Sequence, residues 1–292
     1  MPQHYKALAM TSFLKMHGLG NDFAIFDGRT FPILLDAVAA RAIADRKRGI
    51  GCDQVIVMEK GANGTNAFMR IFNADGGEVE SCGNAARCVG FLLMAEAETD
   101  KVTLGSLGGP LLCLSAGPDA VTVDMGPPHL DWREIPMAQA VDTASFALPV
   151  PGFDDVALDA AAAVSVGNPH CILFVENAES APVATLGAAI EHHPWFPART
   201  NVEFVERRDA GHLRMRVWER GAGITQACGT GACAAAVAAS LRGIAGRKVT
   251  IVLDGGELII DWRESDGHVL MTGPVGFAFG GEVDIRSLAA SQ

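Results

Sequence analysis

Met69-Arg70-Ile71-Phe72 leads through Gly77 to Cys82-Gly83, and Met215-Arg216-Val217-Trp218 leads through Gly223 to Cys228-Gly229. The two cysteines lie 146 residues apart (228 − 82), half the length of a 292-residue chain. Each stretch carries a β-like run, a glycine and a Cys-Gly pair in the same order. The chain therefore reads as two copies of one unit, each with one thiol at the same place. Two equivalent thiols suit a reaction in which a proton leaves one face of a carbon and returns to the other.

The repeat extends outward from the cysteines. Gly20-Asn21 aligns with Gly167-Asn168, Asp53-Gln54-Val55 with Thr200-Asn201-Val202, and Lys101-Val102-Thr103-Leu104 with Lys248-Val249-Thr250-Ile251. Gly108-Gly109 aligns with Gly255-Gly256, and Met125-Gly126-Pro127 sits near Thr272-Gly273-Pro274. Unrelated matches would scatter, whereas these share an offset of 146 or 147. A period this long marks a duplicated domain; solenoids repeat every ~20–50 residues.

The length allows two domains, each with its own core. Apolar residues make up 49% and charged residues 20%, an ordinary globular composition. A net charge of −11 argues against nucleic acid and anionic membrane surfaces as partners, because both need basic patches. No apolar run approaches the ~20 residues of a membrane span. Met1 to Ser12 lacks the order of a signal peptide and reads as a short frayed extension, with Met10 as an alternative start. Seven cysteines form an odd set with no Cys-x-x-Cys pair, which suits free thiols in a reducing, cytoplasmic compartment.

Short β-like runs fill both halves. In the first they are Phe23–Phe26, Gln54–Glu59, Phe68–Asn73, Val102–Leu104, Leu111–Ser115 and Val121–Met125. In the second they are Cys171–Glu176, Val202–Glu206, Arg214–Glu219, Val249–Leu253, Glu257–Asp261 and Val269–Thr272. Helices are expected over Gly83–Glu96 and Gly229–Arg242, directly after the paired cysteines, and both are apolar nearly all round, hence buried. Ala37–Ala44 and Ala181–Ile190 read as outer helices. The expected class is α+β: two pseudo-symmetric domains, each a mostly antiparallel sheet or barrel wrapped around a central helix. Residues 12–130 form the first half and 131–275 the second. Proline-containing 131–159 is the connection plus the first element of the second half.

A buried helix offers unpaired N–H groups and the positive end of its dipole at its N-terminus. A cysteine there is expected to have a thiol pKa lowered from ~8.5 toward 7 or below. Gly83 and Gly229 let a ligand approach the backbone, and the amides of Gly83-Asn84 and Gly229-Thr230 can bind a carboxylate. Two such helix ends facing each other would hold one carboxylate and leave a thiol on each side of the adjacent carbon. That geometry implies a racemase or epimerase at the α-carbon of an amino or hydroxy acid. Stabilisation of the enolate-like carboxylate would be its largest catalytic term. Cys52, Cys88, Cys113, Cys171 and Cys233 have no partner at the common offset and read as buried, inert thiols.

Several motifs resemble diaminopimelate epimerases in family order. They are Lys15-Met16-His17-Gly18-Leu19-Gly20-Asn21-Asp22-Phe23, Phe72-Asn73-Ala74-Asp75-Gly76, Cys82-Gly83-Asn84, Gly167-Asn168-Pro169-His170, Asn201-Val202-Glu203-Phe204, and Glu219-Arg220-Gly221-Ala222-Gly223 through Cys228-Gly229. The resemblance runs from about Phe13 to Gly281. It implies a cofactor-independent, metal-free isomerase that converts LL-2,6-diaminopimelate to the meso isomer, with Cys82 and Cys228 as acid and base. Gly83, Asn84, Gly229 and Thr230 match the family's α-carboxylate grip. Asn21, Gln54, Asn73, Asn168, Asn201, Glu219 and Arg220 match its substrate contacts, and His170 is a further candidate for lining the site. Glu219 and Arg220 suit the ammonium and carboxylate at the far end of diaminopimelate. Ala85 and Thr230 stand where the family usually has Gly and Ser; Thr keeps the hydroxyl. The family also implies a homodimer and a last strand, about Glu282–Ile285 within residues 276–292, that returns to the first domain.

Two rival readings remain at this level. Gln226-Ala227-Cys228-Gly229-Thr230-Gly231 locally resembles proline racemases, and a related two-thiol racemase for proline, hydroxyproline or histidine would share the chemistry. Proline racemases carry an Asp shortly before the cysteine, where this chain has Ile224-Thr225-Gln226. A thiol redox protein would use Cys82 and Cys228 as a switchable disulfide, but the Cys-x-x-Cys motif is absent. A zinc site is not expected, since no Cys/His cluster lies at close spacing. No nucleotide-binding glycine motif occurs.

Overall fold

The computed structural model describes residues 10–153, 158 and 160–290. Two compact units divide the chain: one runs to Val123 and resumes at Pro274, and the other is Asp124–Gly273. The expected extension before Met10 lies outside the described residues, as do 154–157 and 159 of the expected connection.

The first unit contains β1 (Thr11–Gly18), β2 (Asn21–Asp27), α1 (Ala37–Ala44), β3 (Gln54–Lys60), β4 (Ala67–Asn73), β5 (Glu78–Val79), α2 (Gly83–Ala97), β6 (Lys101–Gly105), β7 (Leu111–Ser115) and β8 (Ala120–Asp124). The second contains β9 (Ala162–Ser165), β10 (Pro169–Phe174), α3 (Val183–Glu191), β11 (Asn201–Arg207), β12 (His212–Glu219), β13 (Gly223–Ile224), α4 (Gly229–Leu241), β14 (Lys248–Leu253), β15 (Gly256–Trp262) and β16 (Val269–Pro274). The chain ends with β17 (Gly276–Val283), paired antiparallel with β1, and α5 (Ile285–Ala290).

Strand pairing repeats element for element. In the first unit β1–β2, β3–β4, β4–β5 and β6–β7 are antiparallel, while β2–β3 and β4–β6 are parallel. In the second, β9–β10, β11–β12, β12–β13 and β14–β15 are antiparallel, and β10–β11 and β12–β14 are parallel. This shared order of parallel and antiparallel pairs supports the duplication that the common offset of the identities implies.

Strands β2, β3 and β11 are buried on both faces, which explains the unbroken apolar runs in β2 and β3. In the first unit Ala24, Phe26, Val55, Val57 and Phe72 pack on α1 residues Ala39, Ala40 and Ile43. Complete burial of such a Phe or Val side chain contributes about 1.5–3 kcal/mol. Helix α2 packs against β1, β2, β6 and β7. Helix α4 packs against β9, β10, β11, β14 and β15, and its run Ala232 to Ala239 is almost wholly buried. Small side chains let the strands approach this helix closely.

Three expectations change. Thr11-Ser12 belong to β1 rather than to a frayed end, because Thr11 and Ser12 pair with Val283 and Glu282. The last strand is Gly276–Val283, and Ile285 opens a helix capped by Asp284, whose carboxylate accepts from the N–H groups of Arg286 and Ser287. Helix α2 is not buried along its whole length: residues 83–90 are, Arg87 completely, while Ala95, Glu96 and Ala97 are exposed.

Candidate active site

Pairing directions carry the site residues to one end of each sheet. Parallel β2 and β3 begin at Asn21 and Gln54, antiparallel β4 ends at Asn73, and Gln54 and Asn73 are register partners. The chain then turns through β5 to the N-terminus of α2. In the second unit Asn168 precedes β10, Asn201 begins the parallel β11, and β12 ends at Glu219 before the turn into α4.

Cys82 is the N-cap of α2 and Cys228 the N-cap of α4. Both backbones are extended (φ −149°, ψ 109° and φ −118°, ψ 108°), and neither side chain caps its helix. Good N-caps are Ser, Thr, Asp and Asn, which would occupy the first-turn N–H groups. A cysteine leaves those donors to a ligand.

In the first unit Cys82 Sγ lies 4.0 Å from Asn21 Oδ1, which accepts from Asn84 Nδ2 at 3.2 Å. Asn21 Nδ2 donates to Asp53 Oδ2 at 3.1 Å, which orients the Asn21 amide with its oxygen toward Cys82 and Asn84. Arg46 donates to both Asp22 and Asp53 and, with Lys15, braces this loop. These hydrogen bonds hold Asp22 well below the usual carboxylate range, against the upward push of its burial. Gln54 Nε2 donates to Asn73 Oδ1 at 2.9 Å. Gln54 Oε1 and Asn84 Oδ1 are buried acceptors with no hydrogen-bond partner, the state expected of groups that meet a polar ligand.

In the second unit Cys228 is 5% exposed, with Sγ 3.6 Å from Thr230 Oγ1. Burial pushes its thiol well up, and the carboxylates of Glu219 and Glu203 add to that. The sequence expectation of a lowered thiol pKa at a helix start is therefore overturned for Cys228. The helix terminus does favour the anion, but desolvation and two nearby carboxyl groups outweigh it. Burial likewise raises Glu219, whose Oε1 accepts from Thr225 Oγ1. Burial pushes the thiols of Cys52, Cys88 and Cys113 up to about 12, and that of Cys171 higher still.

His170 and Glu203, both fully buried, join at 2.7 Å through Nδ1 and Oε1, and His170 Nε2 lies 2.9 Å from Asn168 Oδ1. Asn201 spends its amide on backbone: Nδ2 donates to Pro169 O at 3.0 Å and Oδ1 accepts from Arg220 N at 2.9 Å. It thus fixes where Arg220 starts from, and Arg220 Nη1 donates to Ala198 O. Glu203 and Asp53 had no role in the sequence reading. The signal for Glu203 was there: one charge inside Val202-Glu203-Phe204-Val205, a strand otherwise apolar on both faces. Likewise, the Cys/His cluster missing from close spacing forms in space, because His170, Glu203 and Cys228 bring ligand atoms within 4.8 Å of one another.

A family model described as diaminopimelate epimerase matches residues 13–130 and 162–278. A diaminopimelate epimerase from Rhodospirillum centenum is 51% identical over 280 residues, covering 96% of this chain and 94% of the relative. One from Acidiphilium cryptum is 48% identical, covering 96% and 99%. Among solved structures, a phenazine biosynthesis protein of the PhzF family from Enterococcus faecalis superposes with a TM-score of 0.69 at 14% identity, covering 94% of this chain and 99% of that one. A hydroxyproline epimerase from Agrobacterium vitis gives 0.65 at 17% identity, covering 94% and 91%, and so shares the fold alone. With both halves inside the family model and relatives about half identical along nearly their whole length, the chain belongs to the diaminopimelate epimerase family and is an isomerase.

Proposed function

We propose that the protein epimerises LL-2,6-diaminopimelate to the meso isomer without a cofactor or metal, with Cys82 and Cys228 as the acid–base pair. One observation carries this reading: two cysteines at equivalent places are N-caps that leave their first-turn N–H groups free of side-chain capping. Those amides and the helix dipoles suit a carboxylate whose charge grows as the α-proton leaves. A thiolate takes the proton from one face of the α-carbon and a thiol delivers another to the opposite face. The environment of Cys228 favours its neutral form, the form that donates a proton.

Asn21, Gln54, Asn73, Gly83, Asn84, Asn168, Gly229 and Thr230 supply the polar contacts to the substrate. Glu219 and Arg220 suit its distal ammonium and carboxylate. Seven free cysteines support a reducing, cytoplasmic setting. Among the described residues no helix is long and apolar enough to cross a membrane. Phe277 and Phe279 on β17, 61% and 48% exposed, support a homodimer that covers them.

The test is incubation of chelator-treated protein with LL-diaminopimelate in D₂O. The reading requires α-deuterium incorporation together with the meso isomer. Exchange or inversion that depends on added metal or on pyridoxal phosphate would overturn it.

A further inference from the structure

Glu203 is the unexplained charge of the second unit. Its Oε1 meets His170 Nδ1, while Oε2 is buried without a hydrogen-bond partner. Cys228 Sγ completes a buried group in which one ligand atom from each of the three residues lies within 4.8 Å of the others. Gly231 lets Glu203 and Cys228 sit close against the start of α4. A Cβ there would come within 2.6 Å of Glu203 Oε1 and 3.2 Å of Cys228 Sγ. An imidazole nitrogen, a carboxylate oxygen and a thiolate are donors typical of Zn²⁺, and three protein ligands leave a fourth position for water. The second ring nitrogen of His170 is oriented as ligating histidines usually are: Nε2 faces the Asn168 oxygen at 2.9 Å, leaving Nδ1 for Glu203.

We propose that His170, Glu203 and Cys228 form a binding site for Zn²⁺ or a chemically similar dication such as Cd²⁺, and that occupancy reversibly blocks the enzyme. Ligation replaces two protons by the cation. The proton between His170 Nδ1 and Glu203 Oε1 and the proton on Cys228 Sγ both pass to solvent, three bonds to the metal form as water ligands of the hydrated ion leave, and no electron is transferred. Binding needs only the three side chains. Inhibition rests in addition on the acid–base role proposed above for Cys228, because a metal-bound thiolate neither accepts nor delivers the α-proton.

The experiment titrates chelator-stripped whole protein with Cd²⁺ and follows the ultraviolet charge-transfer band of the cadmium–thiolate bond; Zn²⁺ is measured by competition. Wild type and Cys82→Ser should each bind one equivalent, and Cys228→Ser should show no band. His170→Asn and Glu203→Gln should each weaken binding at least about tenfold. A band that persists in Cys228→Ser, or unchanged affinity in both ligand variants, overturns the site. Circular dichroism reports the folding of each variant. Wild type alkylated at Cys228, with the position confirmed by mass spectrometry, gives the same test without a substitution, and a retained band there also overturns the site. In the activity arm Zn²⁺ should abolish turnover and a chelator restore it. One-equivalent binding with full turnover would overturn the inhibitory role while leaving the site intact. Absent turnover without any metal would fault the functional reading alone.

Discussion

Nδ1 of His170 lies 2.7 Å from Oε1 of Glu203, and both side chains are completely buried beside the thiol of Cys228. A fully buried carboxyl group is retained against a large desolvation cost, so its position bears directly on the chemistry next to it. Burial raises the Glu203 pKa, His170 opposes that rise, and the carboxylate in turn helps to hold the Cys228 thiol protonated.

Glu203→Gln keeps the shape and removes the charge. The Cys228 thiol should then ionise at lower pH, since one of the two carboxylates that raise it is gone. Iodoacetamide labelling of Cys228, mapped by mass spectrometry against pH, should shift to lower pH, with Cys82 labelling unchanged as the internal control. A shift to higher pH would show that His170 is the dominant influence on this thiol.

Cys82→Ala and Cys228→Ala should each reduce epimerisation by about 10²–10⁴ or more, the loss expected for a positioned acid or base. The double variant should lose little beyond either single one, because the pair acts as a unit. Cys88→Ala and Cys233→Ala, which change buried thiols without a counterpart in the other half, should keep most of the activity. Steady-state rates on folded protein decide between these outcomes.

Arg220→Ala should raise KM for diaminopimelate much more than it affects any turnover of a short amino acid such as alanine. The guanidinium suits a distal carboxylate that the short substrate lacks. Equal losses for both substrates would assign Arg220 to the fold or to the reacting end.

Alkaline pH should destabilise the protein more steeply than its surface charge requires. Cys52, Cys88 and Cys113 are raised from 9.0 to about 12 by burial, so they keep their protons longer in the folded than in the unfolded chain. Between those values the unfolded state binds fewer protons, and each thiol costs about 1.4 kcal/mol of stability per pH unit as pH rises. Below the lower value their contribution is fully retained. Urea unfolding from pH 8 to 11 should show the slope, and Cys113→Ala should remove about one thiol's share of it.

The sequence by itself determined the duplication, the central helices and the pair of thiols. These are written in local and periodic signals: the common offset, the apolar runs at Val55-Ile56-Val57 and Ala234 to Ala239, and Cys-Gly at each helix start. Helix α1 and strand β7 fall where the pattern put them, at Ala37–Ala44 and Leu111–Ser115. Strands β1 and β9 gave weaker signals. Lys15 in β1 is buried only because Asp22 pairs with it, and the Ala162-Ala163 of β9 has little strand propensity of its own and is held by its pairing with β10. Only the tertiary structure decided the electrostatics of the thiols. A helix N-terminus is a local feature and suggested a lowered pKa. The burial of Cys228 and the arrival of Glu203 and Glu219 from separate strands depend on contacts between residues 9 to 25 positions away, and no local pattern encodes them. The same holds for Asp53, which fixes the amide of Asn21 from 32 residues further along the chain.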